Sequence, residues 1–280
     1  MNGRPPAPSR GNGAFPVTFL SAVFALFLSC LALQAQELRV ASYNMERLGQ
    51  NGKDYAALAR VVVRYDLVAA EEVMNSDGMS RLLGRLGSGW SDYMSAVGEG
   101  SRSYQEHFGF FFDGAVELVS VLGEYPGHDF FRPPFGARFR AKATGFTFTL
   151  VACHIVYGRS EKARIQEISH LGEVYRWFED QTGRKGDTVI VGDFNDERTA
   201  DFSSLAGFGD RDVLPGKGTT IGKHGPDHDY DHIFVPPALR ARVESADVDS
   251  WTTDYSGTRL IVSDHFPVYV LINVSQERTR

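Results

Sequence analysis

The chain has 280 residues, 42% of them apolar and 23% charged, a balance that fits one large or two small globular domains and excludes a disordered polymer. Its formal net charge of −6 excludes capture of polyanions by long-range attraction alone, so any nucleic-acid contact has to rest on local groups and a bound cation. The cysteines Cys30 and Cys153 are too few for a disulfide-dense scaffold.

In chain order, Arg4 and Arg10 precede an apolar run from Val17 to Leu33, followed by Gln34, Ala35 and Gln36. A basic start, an apolar centre and a small residue at Ala35 read as a signal peptide over residues 1–35, which places the protein outside the cell or in the periplasm. The alternative is an uncleaved anchor, for which the run is marginal against the ~20 residues of a bilayer span. Cleavage would remove both arginines and no acid, would leave Cys153 without an intramolecular partner, and would end stable membrane insertion. Residues 36–280 carry neither an internal repeat nor a low-complexity linker and read as one domain, expected as a monomer.

Within that domain, Leu38 to Asn44 reads as a strand, Asp54 to Tyr65 as a helix and Asp66 to Val73 as a second strand. Phe108 to Phe112, Ala115 to Leu122, Phe146 to His154 and Thr188 to Gly192 look extended, and Glu161 to Asp180 carries a helical pattern. Further strands are expected at Asp231 to Val235 and Val268 to Val274. Adjacent strands with few helices between them predict two packed sheets flanked by helices, not a purely parallel doubly wound sheet.

Polar residues recur where these apolar stretches end: Asn44 after LRVASY, Glu72 after DLVAAE, Asp193 and Asn195 after TVIVG, and Asp264 and His265 after LIVS. Strand ends are where sites gather. Asn44, Glu72 and Asp264 are hard oxygen donors of the kind Mg²⁺ or Mn²⁺ takes alongside waters and a phosphate oxygen. Asp193 and Asn195, at i and i+2, would share a face if the backbone is extended. Adjacent Asp264 and His265 would diverge.

The segments VASYNMERLG, DLVAAEEV, SYQEHFGFFF, VACHIVYG, IVGDFNDE, YDHIFV and SDHFPVYV resemble, in order, the motif series of the deoxyribonuclease I-like endonuclease/exonuclease/phosphatase superfamily, over residues 38–274. The resemblance implies a four-layer α-β-β-α sandwich of two mixed sheets with a hydrolytic metal site at one rim, taking Mg²⁺ or Mn²⁺, with Ca²⁺ a further candidate. It implies that Asn44, Glu72 and Asp264 bind the metal and that Asp193 and Asn195 hold phosphate or a second ion. His265 with Asp231 would activate water, and His154 with Glu106 would protonate the leaving oxygen, each carboxylate fixing its histidine's tautomer.

His154 separates the chain from the abasic-site branch, which the resemblance gives a tyrosine there. Ser103-Tyr104-Gln105-Glu106 resembles a deoxyribonuclease motif whose tyrosine packs on a minor-groove sugar, and FRPPF at 131–135 resembles the segment that brings an arginine, here Arg132, to phosphate. The expected activity is a secreted, non-specific DNA endonuclease acting on double strands, with RNA as an alternative substrate. Two departures stand out: Met74 replaces a groove-reading arginine, and Glu71 replaces the common glutamine. The competing readings are a sphingomyelinase-like lipid phosphodiesterase, whose aromatic membrane hairpin would have to come from Trp251 to Thr258, and a binding protein that keeps the fold without catalysis.

Overall fold

The computed structural model describes Gly3 and residues 36–96, 98–101, 104–158, 160–197, 202–206 and 211–275, without the side chains of 99–101 and 104. The expected signal segment 1–35, Gly3 apart, and Ser103 lie outside the described residues, as does the side chain of Tyr104. The strands and helices in chain order are β1 (Glu37–Leu48), α1 (Tyr55–Val62), β2 (Leu67–Val73), α2 (Ser76–Leu86), β3 (Ser91–Met94), β4 (Glu99–Ser101), β5 (Tyr104–Phe112), β6 (Val116–Glu124), β7 (Phe135–Ala141) and β8 (Thr147–His154). They continue as α3 (Glu161–Ser169), α4 (Leu171–Thr182), β9 (Thr188–Asp193), α5 (Ser203–Ala206), β10 (Arg211–Asp212), β11 (Asp231–Val235), α6 (Pro237–Arg240), β12 (Val243–Val248), α7 (Tyr255–Ile261) and β13 (Val268–Asn273).

The strands form two sheets. One runs β12-β13-β1-β2-β5-β3, with β4 also pairing β5, and the other runs β10-β11-β9-β8-β7-β6. Each is built around one parallel pair, β1 beside β2 and β8 beside β9, with antiparallel neighbours outside it. Alternation along each strand decides the layers. β1 sends Leu38 and Val40 between the sheets and Ala41, Tyr43 and Met45 outward; β8 sends Phe148, Leu150 and Ala152 between them and Val151 and Cys153 outward. The outward face of the first sheet is covered by Leu58 of α1 and by Met79 and Leu82 of α2, that of the second by Ile168, Leu171, Phe178 and Leu205 of α3 to α5. The result is the expected helix, sheet, sheet, helix sandwich. Among the described residues no helix is long and apolar enough to cross a membrane.

Local signals fix the element ends. Asp54 caps α1 by accepting from the backbone N–H groups of Ala56 and Ala57 at 3.0 and 2.9 Å. The helix expected over 161–180 is broken at His170, which ends α3 and opens α4, its ring held between Asp129 at 3.6 Å and Glu173 at 3.7 Å. The stretch LIVS is not a strand. Asp254 caps Gly257, so Leu260 and Ile261 close α7 with their side chains exposed, and Asp264 and His265 instead lead into β13. The two ends of the described body meet: Val274 N–H donates to the Gln36 carbonyl at 2.7 Å and Gln36 N–H to Ser275 Oγ at 3.1 Å.

Candidate active site

The C-terminal ends of β1, β2, β8 and β9 converge with the turns before β11 and β13 at one rim. Among the described residues the non-glycine positions with left-handed φ are Glu46 (40°), Arg47 (61°), Glu72 (56°) and Asn195 (52°); the first three lie in the C-terminal parts of β1 and β2 and Asn195 in the bend after β9. Such conformations cost of order 1–3 kcal/mol each and persist where the surroundings enforce them. The enforcement is visible: the pairing of β1 with β2 shifts register between Asn44 and Leu48, and that of β2 with β5 between Ala70 and Val73. These bulges turn Glu46 and Glu72 out of the strand alternation. Asn195 likewise departs from the extended geometry expected of it. Its backbone N–H donates to Asp193 Oδ1 at 2.8 Å and its Nδ2 to the Ile155 carbonyl at 2.9 Å, so it pins a tight turn and does not continue β9.

The expected residues surround a cleft of about 570 Å³, whose lining includes Glu72, Glu106, Arg132, His154, Asp193, Asn195, Asp264 and His265. Asp231 lies fully buried behind it and accepts from His265 Nδ1 at 2.8 Å. His154 Nδ1 lies 2.9 Å from Glu106 Oε2, off the line of a well-directed hydrogen bond. The far nitrogens of both rings point at one atom: His154 Nε2 and His265 Nε2 each stand 3.6 Å from Asp193 Oδ2. Burial disfavours the charged form of His265, but Asp231, Asp193 and Asp264 outweigh it and hold its pKa well above the ordinary value. Burial is also the main reason the Asp231 carboxyl is pushed up, partly offset by His265.

Arg132 is neither an exposed side chain nor a free one. Its Nε donates to the His154 carbonyl at 3.1 Å and lies 3.4 Å from Glu106 Oε2, so it sits beneath the Glu106–His154 pair while still facing the cleft. Asn44 joins the acids through its amide nitrogen, which donates to Glu72 Oε1 at 3.2 Å and Asp193 Oδ2 at 3.0 Å; its oxygen accepts from Glu46 N–H at 2.9 Å. As arranged, Asn44 links two carboxylates, and offering its oxygen to a cation would require the amide to turn.

Two further residues at this rim are not among those the sequence motifs single out. Glu46 follows Asn44 by two positions, and its pKa is raised first by burial and then by the charges of Asp264 and Glu72, with Lys53 Nζ at 3.3 Å opposing. Arg259 of α7 is exposed and lines the cleft. An acid just after the asparagine motif is the available signal for the first; nothing local marks the second. Glu72, Asp264 and Glu46 are hard oxygen donors with an excess of negative charge, and that donor chemistry fits a divalent cation of the Mg²⁺ type. Among the described residues, the acid and histidine ligand atoms that gather three within 4.8 Å are those of Asp129, His170 and Glu173. They do not line the cleft, and the two nitrogens of His170 face the two carboxylates separately.

The sequence pattern of the Endonuclease/Exonuclease/phosphatase family matches residues 41–265. A deoxyribonuclease of Thioalkalivibrio sp. (strain K90mix) is 34% identical over 273 residues, spanning 89% of this chain and 75% of that relative. Human deoxyribonuclease-1 is 28% identical over 280 residues, spanning 88% and 96%. A solved endonuclease/exonuclease/phosphatase family protein from Bacteroides thetaiotaomicron shares the fold, with a TM-score of 0.66 at 21% identity over 87% of this chain and 100% of that one.

Proposed function

Because the chain belongs to the endonuclease/exonuclease/phosphatase family, in its deoxyribonuclease I-like branch, and is a hydrolase of phosphodiester bonds, we propose that it is a secreted, divalent-metal-dependent deoxyribonuclease that cuts DNA with a pair of histidines. The observation that carries this reading is the convergence of His154 and His265 on the same oxygen of Asp193, each backed by its own carboxylate. Hydrolysis of a diester needs a base for the attacking water and an acid for the departing alkoxide, and facing imidazoles can serve both if one is neutral and one charged. We assign the base to His265, whose Nδ1–H is held by Asp231 with Nε2 turned into the site. The acidic charge that raises this histidine's pKa would be offset by a divalent cation beside Asp264, which favours the neutral ring that accepts the water's proton. We assign the acid to His154, which Glu106 steadies from the far side and whose Nε2 proton would pass to the leaving oxygen. Asp193 stands between them, its other oxygen held by Asn195.

A divalent cation held by Glu72 and Asp264, with Asn44 and Glu46 beside them, would neutralise charge on the phosphoryl oxygens. Mg²⁺ or Mn²⁺ suits those donors. DNA is the substrate named for the relatives in the deoxyribonuclease series. The lipid reading loses its motif, since Trp251 packs half-buried against the core and Tyr255 meets Phe266 edge to face, so 251–258 is not an exposed aromatic hairpin. The deciding experiment offers purified protein plasmid DNA, RNA and sphingomyelin in Mg²⁺, with and without chelator. Chelator-sensitive nicking of the plasmid supports the assignment; faster hydrolysis of sphingomyelin, or plasmid nicking indifferent to chelator, overturns it.

A further inference from the structure

The cleft carries more aromatic surface than phosphate chemistry uses. Tyr157, His228 and Tyr230 line it together with the histidines and acids. His228 and Tyr230 are stacked face to face, with ring centroids 4.7 Å apart and planes 4° from parallel. Tyr157 stands near enough to bear electrostatically on the Tyr230 hydroxyl, and Arg164 lies 5.8 Å over the Tyr157 ring. None of the three aromatic residues belongs to a core cluster. Tyr157 is 62% exposed and the His228 side chain 50% exposed, so packing does not account for them.

We propose that Tyr157, His228 and Tyr230 form a nucleobase-stacking subsite that receives an unpaired base next to the scissile phosphate, which makes single-stranded DNA, and not the double strands that the sequence resemblance implies, the better substrate. The inference rests on the nuclease reading above and deepens it. Chain connectivity places the subsite beside the reacting groups: Tyr230 directly precedes Asp231, and Tyr157 follows His154 by three residues, no more than about 11 Å of extended backbone. The cleft volume of about 570 Å³ lies within the roughly 300–1,000 Å³ of sites that enclose a small molecule, enough for a nucleoside as well as its phosphate. A flat aromatic pair accepts any base, because every base has a π face, and it needs no base-edge hydrogen bonds. In a duplex those faces are covered by neighbouring base pairs. Only a single strand, an end or a locally opened helix can therefore use the subsite. Arg164, beside Tyr157, adds a cation over the same wall.

The test uses a single-stranded oligonucleotide carrying 2-aminopurine, titrated with full-length protein in chelator so that nothing is cut. Stacking quenches the probe, and the same strand annealed to its complement should be quenched far less. His228→Ala and Tyr157→Ala should weaken binding of the single strand about tenfold, while His228→Phe, which keeps a flat ring, should restore the quench. Binding and quenching by both alanine variants equal to wild type would overturn the proposal. In parallel, initial rates in Mg²⁺ on single-stranded and duplex DNA should fall toward one another in His228→Ala. Wild-type hydrolysis of DNA with an unchanged rate ratio in that variant sinks the subsite alone, whereas no hydrolysis of either DNA sinks the nuclease reading itself.

Discussion

Glu71 is a carboxyl group with no exposure to water, one partner in the Ser42 hydroxyl at 2.9 Å, and a second oxygen with none. Burial, with the nearby Asp231 and Asp193 adding to it, drives its pKa well above the usual 4.5. Burial thus favours its protonated, neutral form, which is close in shape and charge to the glutamine that the sequence resemblance leads one to expect there. The sign of its effect on stability follows. A carboxyl whose folded pKa is raised binds its proton more tightly in the folded state, so its contribution is fully present below 4.5 and is lost as pH rises toward the folded value, at about 1.4 kcal/mol per pH unit. We expect Glu71→Gln to melt higher than wild type at pH 7 and to lose that advantage near pH 4, as read by thermal unfolding across pH. The histidine pair gives a second expectation at this scale: His154→Ala and His265→Ala should each lower the rate on DNA by ~10²–10⁴ with the fold intact by circular dichroism. A loss below tenfold in both would remove them from the proton transfers.

Among the elements, the parallel pair of β8 and β9 is the most exacting. Gly192 lies opposite Cys153 in that pairing, with φ of 148°, and a Cβ there would run into the Cys153 carbonyl. Gly192→Ala should therefore fail to give soluble folded protein, or give one whose melting temperature falls well below wild type; an unchanged melt would mean the strands can separate there freely. Most of the longer strands are legible in the amino-acid pattern alone: the limits of β11 match the expected Asp231 to Val235, and β1, β2, β5, β6, β8, β9 and β13 lie where strands are expected, whereas the buried interior strand β7 is missed, its apolar residues interrupted by Arg138 and Arg140. Short or edge strands such as β3, β4, β10 and β12 are not legible, because a few residues with one free edge carry little periodicity of their own. LIVS misleads for a related reason: two apolar residues exposed on the last turn of α7 spell the same letters as a buried strand. The site residues are readable as motifs, but their geometry is not. Nothing in GDFN reveals the left-handed turn at Asn195, and nothing in FRPPF reveals that Arg132 is drawn under Glu106 and His154, since both depend on partners far along the chain.

For the molecule as a whole, charge sets how DNA would be held under the proposed nuclease activity. A chain with 29 basic against 35 acidic residues, net −6, gains no long-range pull on a polyanion, and of the arginines that line the cleft Arg132 is buried and Arg259 exposed, with Arg164 beside them over Tyr157. Each phosphate neutralised contributes about −0.9 to the slope of log affinity against log salt on duplex DNA, so the slope should be no steeper than about −3. A steeper one, measured by binding in chelator across a salt series, would reveal a basic surface outside the cleft. The meeting of Gln36 with Val274 and Ser275 bears on the molecule at the same scale. Ends that lie side by side can be joined by a short linker without disturbing either sheet, while the turn from Lys142 to Gly145, exposed at Lys142 and Ala143, can be opened in their place. A circular permutant of residues 36–275 that starts at Thr144 and finishes at Ala143 should cut DNA at close to the rate of the unpermuted body, for the rim assembles from strands that would then be synthesised in a different order.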